Sequence, residues 1–199
     1  MAERTIEIPE IRLGRIVVGI VGQTPLLTNR FGEKARQKIE DKQQKKAKGP
    51  KEARNPEEEF QDAAHMISEG VYGFPAVGIK KALVVAGGRF ADEKMTHLRG
   101  VINIMGDLIE IKAKKPTMRS DTVRLANGVT SIAYRPQFMP WEMEIPVVFN
   151  SSIIGESQIL NLFQIAGFAV GFGAWRPECN GVFGQFTLRD SVASMQAAE

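Results

Sequence analysis

The chain has 199 residues, 43% of them hydrophobic and 25% charged, with a formal net charge of +3. That length and balance fit one domain with its own apolar core and exclude a low-complexity, disordered chain. No apolar run nears the roughly 18 residues of a membrane span, no basic-then-apolar leader opens the sequence, and the single cysteine, Cys179, has no partner for an internal disulfide; a cytoplasmic protein without a membrane segment is expected.

In chain order, Ile6, Ile8, Ile11, Leu13, Ile16, Val18 and Ile20 alternate around Pro9, which predicts a short arm and then a long strand over 11–21 closed by Gly22-Gln23-Thr24-Pro25. Residues 31–53 hold only Ala35, Ile39 and Ala47 among charges and glutamines, so they predict a solvated helix or a mobile loop. Asn55-Pro56-Glu57-Glu58-Glu59 reads as a helix start: a cap, a first-turn proline, and carboxylates on the dipole. Phe60, Ala63, Ala64 and Ile67 continue its stripe and Gly70 closes it. Tyr72-Gly73-Phe74-Pro75 reads as a turn exposing two aromatics. Short helices follow over 79–86 and 91–99, separated by Gly87-Gly88.

Hairpins are expected over 101–113 about Gly106-Asp107 and over 122–134 about Asn127-Gly128. A strand over 142–149, a helix over 156–166 ended by Gly167, a strand over 182–189 and a weak tail over 190–199 complete the order. The class is α+β: a ferredoxin-like (RRM-like) split β-α-β sheet in a single domain spanning 1–199, with a basic insertion over 30–56 after the first strand.

Charge is unevenly spread. Residues 30–54 contain ten Lys/Arg and four Asp/Glu, a net +6 that leaves about −3 for the rest of the chain. Such a segment attracts polyanions and gives salt-dependent, sequence-blind affinity; the plainer reading is a solvated helix. Tyr72, Phe74, Tyr134 and Trp175 lie beside glycine or arginine in expected loops, where a stacked base is worth ~1–3 kcal/mol. Arg119, Arg124 and Arg135, in or beside the second hairpin, fit phosphate contacts or snorkelling at an edge strand equally well. Five glycines fall within 167–184, a density that permits close backbone approach. Pro177 and Gly181 forbid the helix that a dinucleotide fingerprint requires, and no Walker motif occurs, so no cofactor is expected. His65, His97 and Cys179 have no metal-ligand spacing, and His65 reads as structural. No nucleophile stands beside a recognisable base, so an enzyme is not expected.

The run Val170-Gly171-Phe172-Gly173-Ala174-Trp175-Arg176-Pro177-Glu178, continuing to Gly181-Val182-Phe183-Gly184-Gln185-Phe186, resembles the C-terminal glycine-rich loop of the RAMP superfamily, the repeat-associated proteins that form backbone subunits of CRISPR effector complexes. Leu13-Gly14-Arg15 and Gly22-Gln23-Thr24-Pro25-Leu26-Leu27 resemble that family's first strand and following turn. Phe74-Pro75-Ala76-Val77-Gly78-Ile79-Lys80-Lys81-Ala82-Leu83 is similar to its entry to a helix, with Lys81 where glycine is usual. The chain is shorter than most such subunits, which fits a compact or phage-encoded relative.

The resemblance implies an RRM-like fold that binds single strands along its sheet and insertions, often as a filament. The expected function is sequence-nonspecific binding of single-stranded DNA or RNA by a head-to-tail homo-oligomer. The contacts expected are Arg30, Lys34, Arg36, Lys38, Lys42, Lys45, Lys46, Tyr72, Phe74, Lys80, Arg119, Arg124, Trp175 and Arg176. Two alternatives stay open. One is an interaction protein whose basic insertion meets an acidic protein partner. The other is a metal-dependent endoribonuclease using Asp121, since some relatives use a loop aspartate; a turn or cap role is the plainer reading of that residue.

Overall fold

A computed structural model describes residues 10–45, 53–124 and 128–189. The expected arm before Pro9, Lys46 and Asn127, and the tail over 190–199 lie outside the described residues.

The chain opens with β1 (Leu13–Gly22), in which Val18 and Ile20 are buried while Leu13, Arg15 and Val17 are exposed, as alternation demands of a half-covered strand. Then come β2 (Leu26–Leu27), α1 (Glu33–Gln43) and α2 (Pro56–Asp62). Asn55 caps α2 as expected, its Oδ1 accepting from the Glu57 N–H at 3.1 Å. The helix is shorter than its stripe predicts. Residues 66–68 turn instead into β3 (Met66–Ser68), which pairs with β4 (Val71–Pro75) around Gly70. Tyr72–Pro75 is therefore strand rather than exposed turn, and Phe74 is buried.

Next is α3 (Ala76–Phe90), one helix running straight through Gly87-Gly88. These glycines are not a break. A Cβ at Gly87 would collide with Leu98 of the following helix α4 (Met95–Val101), so the residue serves close helix packing. β5 (Ile102–Ile104), β6 (Leu108–Glu110) and β7 (Lys112–Ala113) follow. The hairpin expected about Gly106-Asp107 does not form: β5 and β7 both run antiparallel to β10 (Trp141–Asn150) in one direction, so the chain continues past Gly106, and β5 and β6 do not pair with each other. β5 joins β10 and β6 joins β4.

The second hairpin forms, longer than expected, from β8 (Thr117–Arg124) and β9 (Thr130–Phe138). Helix α5 (Glu156–Ile165) does not stop at Gly167. It widens into a π-turn, Ala166–Val170, and ends at Gly171 with φ 72°. A short 3-10 turn, Pro177–Cys179, precedes β11 (Phe186–Leu188), so much of the strand expected over 182–189 is irregular.

The architecture is α+β with three antiparallel sheets. The largest runs β11-β1-β10-β5, with β7 also on β10; the others are β2-β9-β8 and β3-β4-β6. Ile20, Met143, Ile145 and Val147 of the large sheet meet Ile79 and Leu83 of α3 and Ile159 and Phe163 of α5 in one core. Fully burying each such side chain is worth ~1.5–3 kcal/mol. Trp141 lies at 0% exposure with its indole N–H donating to the Thr24 carbonyl at 2.8 Å, which ties the end of β1 to β10. The opposite face of the sheet has no helix over it in the described residues and carries an ionic lattice. Glu144 accepts from Lys112 at 2.9 Å and Arg189 at 3.1 Å, and Arg189 lies 3.8 Å from Glu142. Those bonds, Lys112 first and then Arg189, hold the Glu144 carboxyl below its ordinary range. Among the described residues of β1 and β10 no aromatic side chain lies on that face. No helix among the described residues is long and apolar enough to cross a membrane.

Candidate nucleic-acid interface

The glycine-rich segment is stitched by backbone bonds to the β1–β2 turn. Gly184 N–H donates to the Pro25 carbonyl, Gln23 N–H to the Gln185 carbonyl and Ala174 N–H to the Leu27 carbonyl, all at 2.8–2.9 Å. Within the segment, Phe172 N–H donates to the Gly184 carbonyl at 2.9 Å and Phe183 N–H to the Trp175 carbonyl at 3.0 Å. Gly184 is at φ 68°, and a Cβ there would run into the Phe172 carbonyl. Phe172 turns into the core against Phe74, centroids 5.3 Å apart, and Phe186, 4.4 Å apart. The segment therefore approaches its own backbone closely, as its composition implies, and leaves Trp175 45% exposed at φ 56°.

One cleft borders this framework and a second adjoins it at Asn29. The first, of about 360 Å³, lies between the glycine loop and the start of α3, with Asn29, His65, Lys81 and Arg176 among its walls. Lys81 is exposed. The Arg176 guanidinium is held by Glu178 at 2.6 Å and by the Gly173 carbonyl at 3.1 Å; Glu178 also meets Arg89 at 3.4 Å. The half-buried His65 imidazole sits below its ordinary pKa because burial, and then the Arg30 charge, disfavour the cation. The unfolded chain thus takes up that proton first. Stability from this group is full above about pH 6.5 and is lost on acidification below it. His65→Gln is expected to remove that part of the acid loss, read from Tm at pH 7.5 against pH 5.5.

The second cleft, of about 450 Å³, lies between α2 and the β8–β9 hairpin, and Asn29, Arg30, Arg54, Tyr134 and Arg135 face it together with Glu58, Glu59 and Asp62. Arg54 is fully engaged. It donates to both Glu59 oxygens, to Ser131 Oγ at 3.0 Å and to the Ile132 carbonyl at 2.6 Å, and lies 6.0 Å from the Tyr134 centroid. The Glu59 hydrogen bond chiefly raises its pKa. Arg135 is half-buried, and desolvation lowers its pKa against the opposing pull of Asp121. The clefts meet at Asn29. Thr28 pins that junction, its Oγ1 donating to the Ala63 carbonyl at 3.2 Å, while Arg30 N–H donates to the same carbonyl at 3.0 Å. Gly32 lines the second cleft and caps α1, so the basic helix rises from the cleft rim.

The expected contact residues are distributed unevenly around these clefts. Arg30 is at the junction. Lys34, Arg36, Lys38 and Lys42 lie along α1 and Lys45 just beyond it; Arg36 pairs with Glu40 at 3.0 Å. Arg176 is on the first cleft, with its charge already countered by Glu178. Phe74 is buried, and Tyr72 is half-buried with its ring edge-on to Phe138 at 5.3 Å, so neither is an open stacking surface. Lys80 donates to Asn103 at 2.7 Å. Arg119 donates to Asp121 at 2.8 Å and lies 4.8 Å over the Phe183 ring; Asp121 is in a strand rather than a loop. Arg124 is exposed at the end of β8. Sequence reasoning missed Asn29 and read Lys81 only as a departure from a family pattern. Their nearest signal was the polar Thr28-Asn29-Arg30 run directly after buried Leu26-Leu27. Among the described residues no three of His, Cys, Asp or Glu gather as a metal-ligand set.

No protein-family model matches the chain, and no curated protein matches it. Among solved structures the fold is similar to a chain of the Type III-B Cmr-beta assembly bound to cognate target RNA. The TM-score is 0.56 at 12% identity, over 89% of this chain and 59% of that one. The chain thus spans less than two thirds of the length of the structure whose fold it shares.

Proposed function

We propose that the chain binds single-stranded nucleic acid along a track made by the two clefts and the basic helix α1. The observation that carries this reading is the junction at Asn29, which lines both clefts, with Lys81 on the wall of the first and Arg30 and Arg135 on the wall of the second. Phosphates spaced along a strand would meet Lys81, Arg30 and then Lys42 and Lys45, while the exposed Trp175 ring offers a stacking surface. Contacts of that kind are blind to sequence. The large antiparallel sheet with helices on one face supports a ferredoxin-like reading, and likeness to a subunit of an RNA-bound Cmr assembly supports a RAMP-type origin and favours RNA over DNA. The exposed lone Cys179 is in keeping with a reducing cytoplasm.

Helix α1 exposes Ile39, so a neighbouring copy lying against it would give an open head-to-tail assembly. Binding is preferred over ribonuclease chemistry because Asp121 lies in a strand, with its carboxylate ion-paired to Arg119, rather than in a loop. Fluorescence anisotropy with single-stranded RNA, single-stranded DNA and duplex across a salt series tests this reading. Single strands are expected to bind more tightly than duplex, with affinity falling as salt rises. Duplex bound as tightly as single strands would remove the track, and no shift with any oligonucleotide would favour an acidic protein partner.

A further inference from the structure

We propose that the first cleft, between the glycine-rich segment and the start of α3, seats one nucleobase, with Asn29 and His65 meeting its hydrogen-bonding edge and Lys81 the phosphate beside it. The seat rests on the single-strand reading, and adds to the sequence-blind phosphate contacts one contact that depends on the base. The charges of the walls decide what kind of group fits inside. Arg176 is tied to Glu178 at 2.6 Å and to the Gly173 carbonyl at 3.1 Å, and Glu178 also meets Arg89 at 3.4 Å. The half-buried His65 imidazole is uncharged near neutral pH, because burial and then the Arg30 charge disfavour the cation. Lys81 is exposed and has no ion pair among the described residues. A charged group deep in the cleft would find no free countercharge, whereas a neutral group with an anionic tail at Lys81 would be matched at both ends. The remaining wall includes Phe74, Pro75, Val170 and Phe172, against which a flat heterocycle buries well, and the volume of about 360 Å³ falls in the roughly 300–1,000 Å³ range of small-ligand sites.

Asn29 and His65 supply the polar part of the seat. The Ala63 carbonyl accepts from Thr28 Oγ1 at 3.2 Å and from the Arg30 N–H at 3.0 Å, which pins the residues on either side of Asn29 two positions before His65. The His65 carbonyl in turn accepts from the Gly73 N–H at 2.9 Å. Both backbones are therefore fixed, and both side chains are left over: neither the Asn29 amide nor the His65 ring makes a hydrogen bond among the described residues. They are not sealed off either. Among the described residues the side-chain atoms that are both buried and without a partner belong to Arg135 and Arg189. A carboxamide and a neutral imidazole each offer a donor and an acceptor. The edge of a base offers donors and acceptors in return, while phosphate oxygens only accept and would leave half of the pair unused.

The test uses the full chain, whose two histidines give separable ring signals in proton–nitrogen spectra. It is titrated with uridylate, adenylate and, as the control without a base, ribose phosphate. At least one nucleotide is expected to shift the His65 ring signals and to leave those of His97, which lies in α4, in place. Asn29→Ala combined with His65→Leu should lower the affinity for labelled single-stranded RNA about tenfold, with the slope of log K against log salt unchanged because neither residue carries charge. Ribose phosphate that moves His65 as far as the nucleotides do overturns the base seat, and so does a shallower salt slope in the double variant. Tight RNA binding, with His65 unmoved by all three probes and affinity unchanged in the double variant, removes the seat and leaves the single-strand reading. A nucleotide shift at His65 in a chain that binds no RNA keeps the seat for free nucleotides and removes that reading. Should the double variant fail to fold, Asn29→Ala alone carries the test, since that side chain is exposed. Unchanged RNA affinity and unchanged nucleotide shifts in that variant overturn the seat.

Discussion

Gly184→Ala is expected to destabilise the protein by roughly 3 kcal/mol and to lower its Tm by about 10 °C. The residue sits at φ 68°, where an L side chain is strained, and the new Cβ would enter the Phe172 carbonyl. The backbone cannot yield cheaply. Gly184 donates to Pro25 and accepts from Phe172, whose ring lies between Phe74 and Phe186 in the core. Moving this residue pulls on the end of β1 and on the aromatic cluster together. Gly100→Ala is the matched control, since it lies in α4 with nothing within 4 Å of the added methyl group. It should be neutral or stabilising by up to ~1 kcal/mol, the ordinary helix gain of alanine over glycine. Thermal melts of both variants decide the matter. A drop under about 2 °C for Gly184→Ala would mean the glycine loop lies outside the cooperative unit.

The second large effect concerns binding. Replacing Arg30, Lys42, Lys45 and Lys81 together by glutamine should weaken single-strand affinity by two to three orders of magnitude at about 0.1 M salt. The slope of log K against log salt should become shallower by about 3. Each phosphate contact on a single strand contributes ~0.7 to that slope, so four contacts contribute about 2.8 per decade of salt. The variant is expected to melt close to the parent, because Arg30, Lys42, Lys45 and Lys81 are all exposed. Anisotropy titrations at several salt concentrations read both quantities. An unchanged slope with reduced affinity would mean that these cations act through folding rather than through phosphates.

Local signals in the sequence carried well where one face of an element is covered and the other is open. The alternation through Ile16, Val18 and Ile20 gave a strand with that face turned inward, whereas Leu13 lies on the opposite, exposed face, and Asn55-Pro56 gave a capped helix start. Signals failed where the deciding partner is far along the chain. Gly87-Gly88 looks like punctuation until Leu98 is packed against it. Gly106-Asp107 reads as a hairpin turn, yet no hairpin forms there, because β5 joins β10 and β6 joins β4. Phe74 sits next to glycine and proline and reads as exposed, but Phe172, about a hundred positions later, covers it. The same division applies to the candidate site. The basic charge of residues 30–54 is visible in composition alone, though not that part of it forms a helix. The clefts draw on residues 29, 65, 81, 135 and 176, five segments with no shared spacing, and only the folded chain brings them near one another.

The pairing of β1 with β10 and β11 bears on how the protein is made. Leu13 meets Asn150 and Gly22 meets Phe186, so the central sheet is closed by contacts spanning most of the chain. Such non-local closure makes folding slow, and during synthesis the first strand must wait unpaired until the last third has left the ribosome. Through that interval the strand's edge and its core residues Val18 and Ile20 are open to any other strand. Refolding yield should therefore fall steeply with protein concentration, and a nascent chain stalled before residue 141 should depend on chaperones.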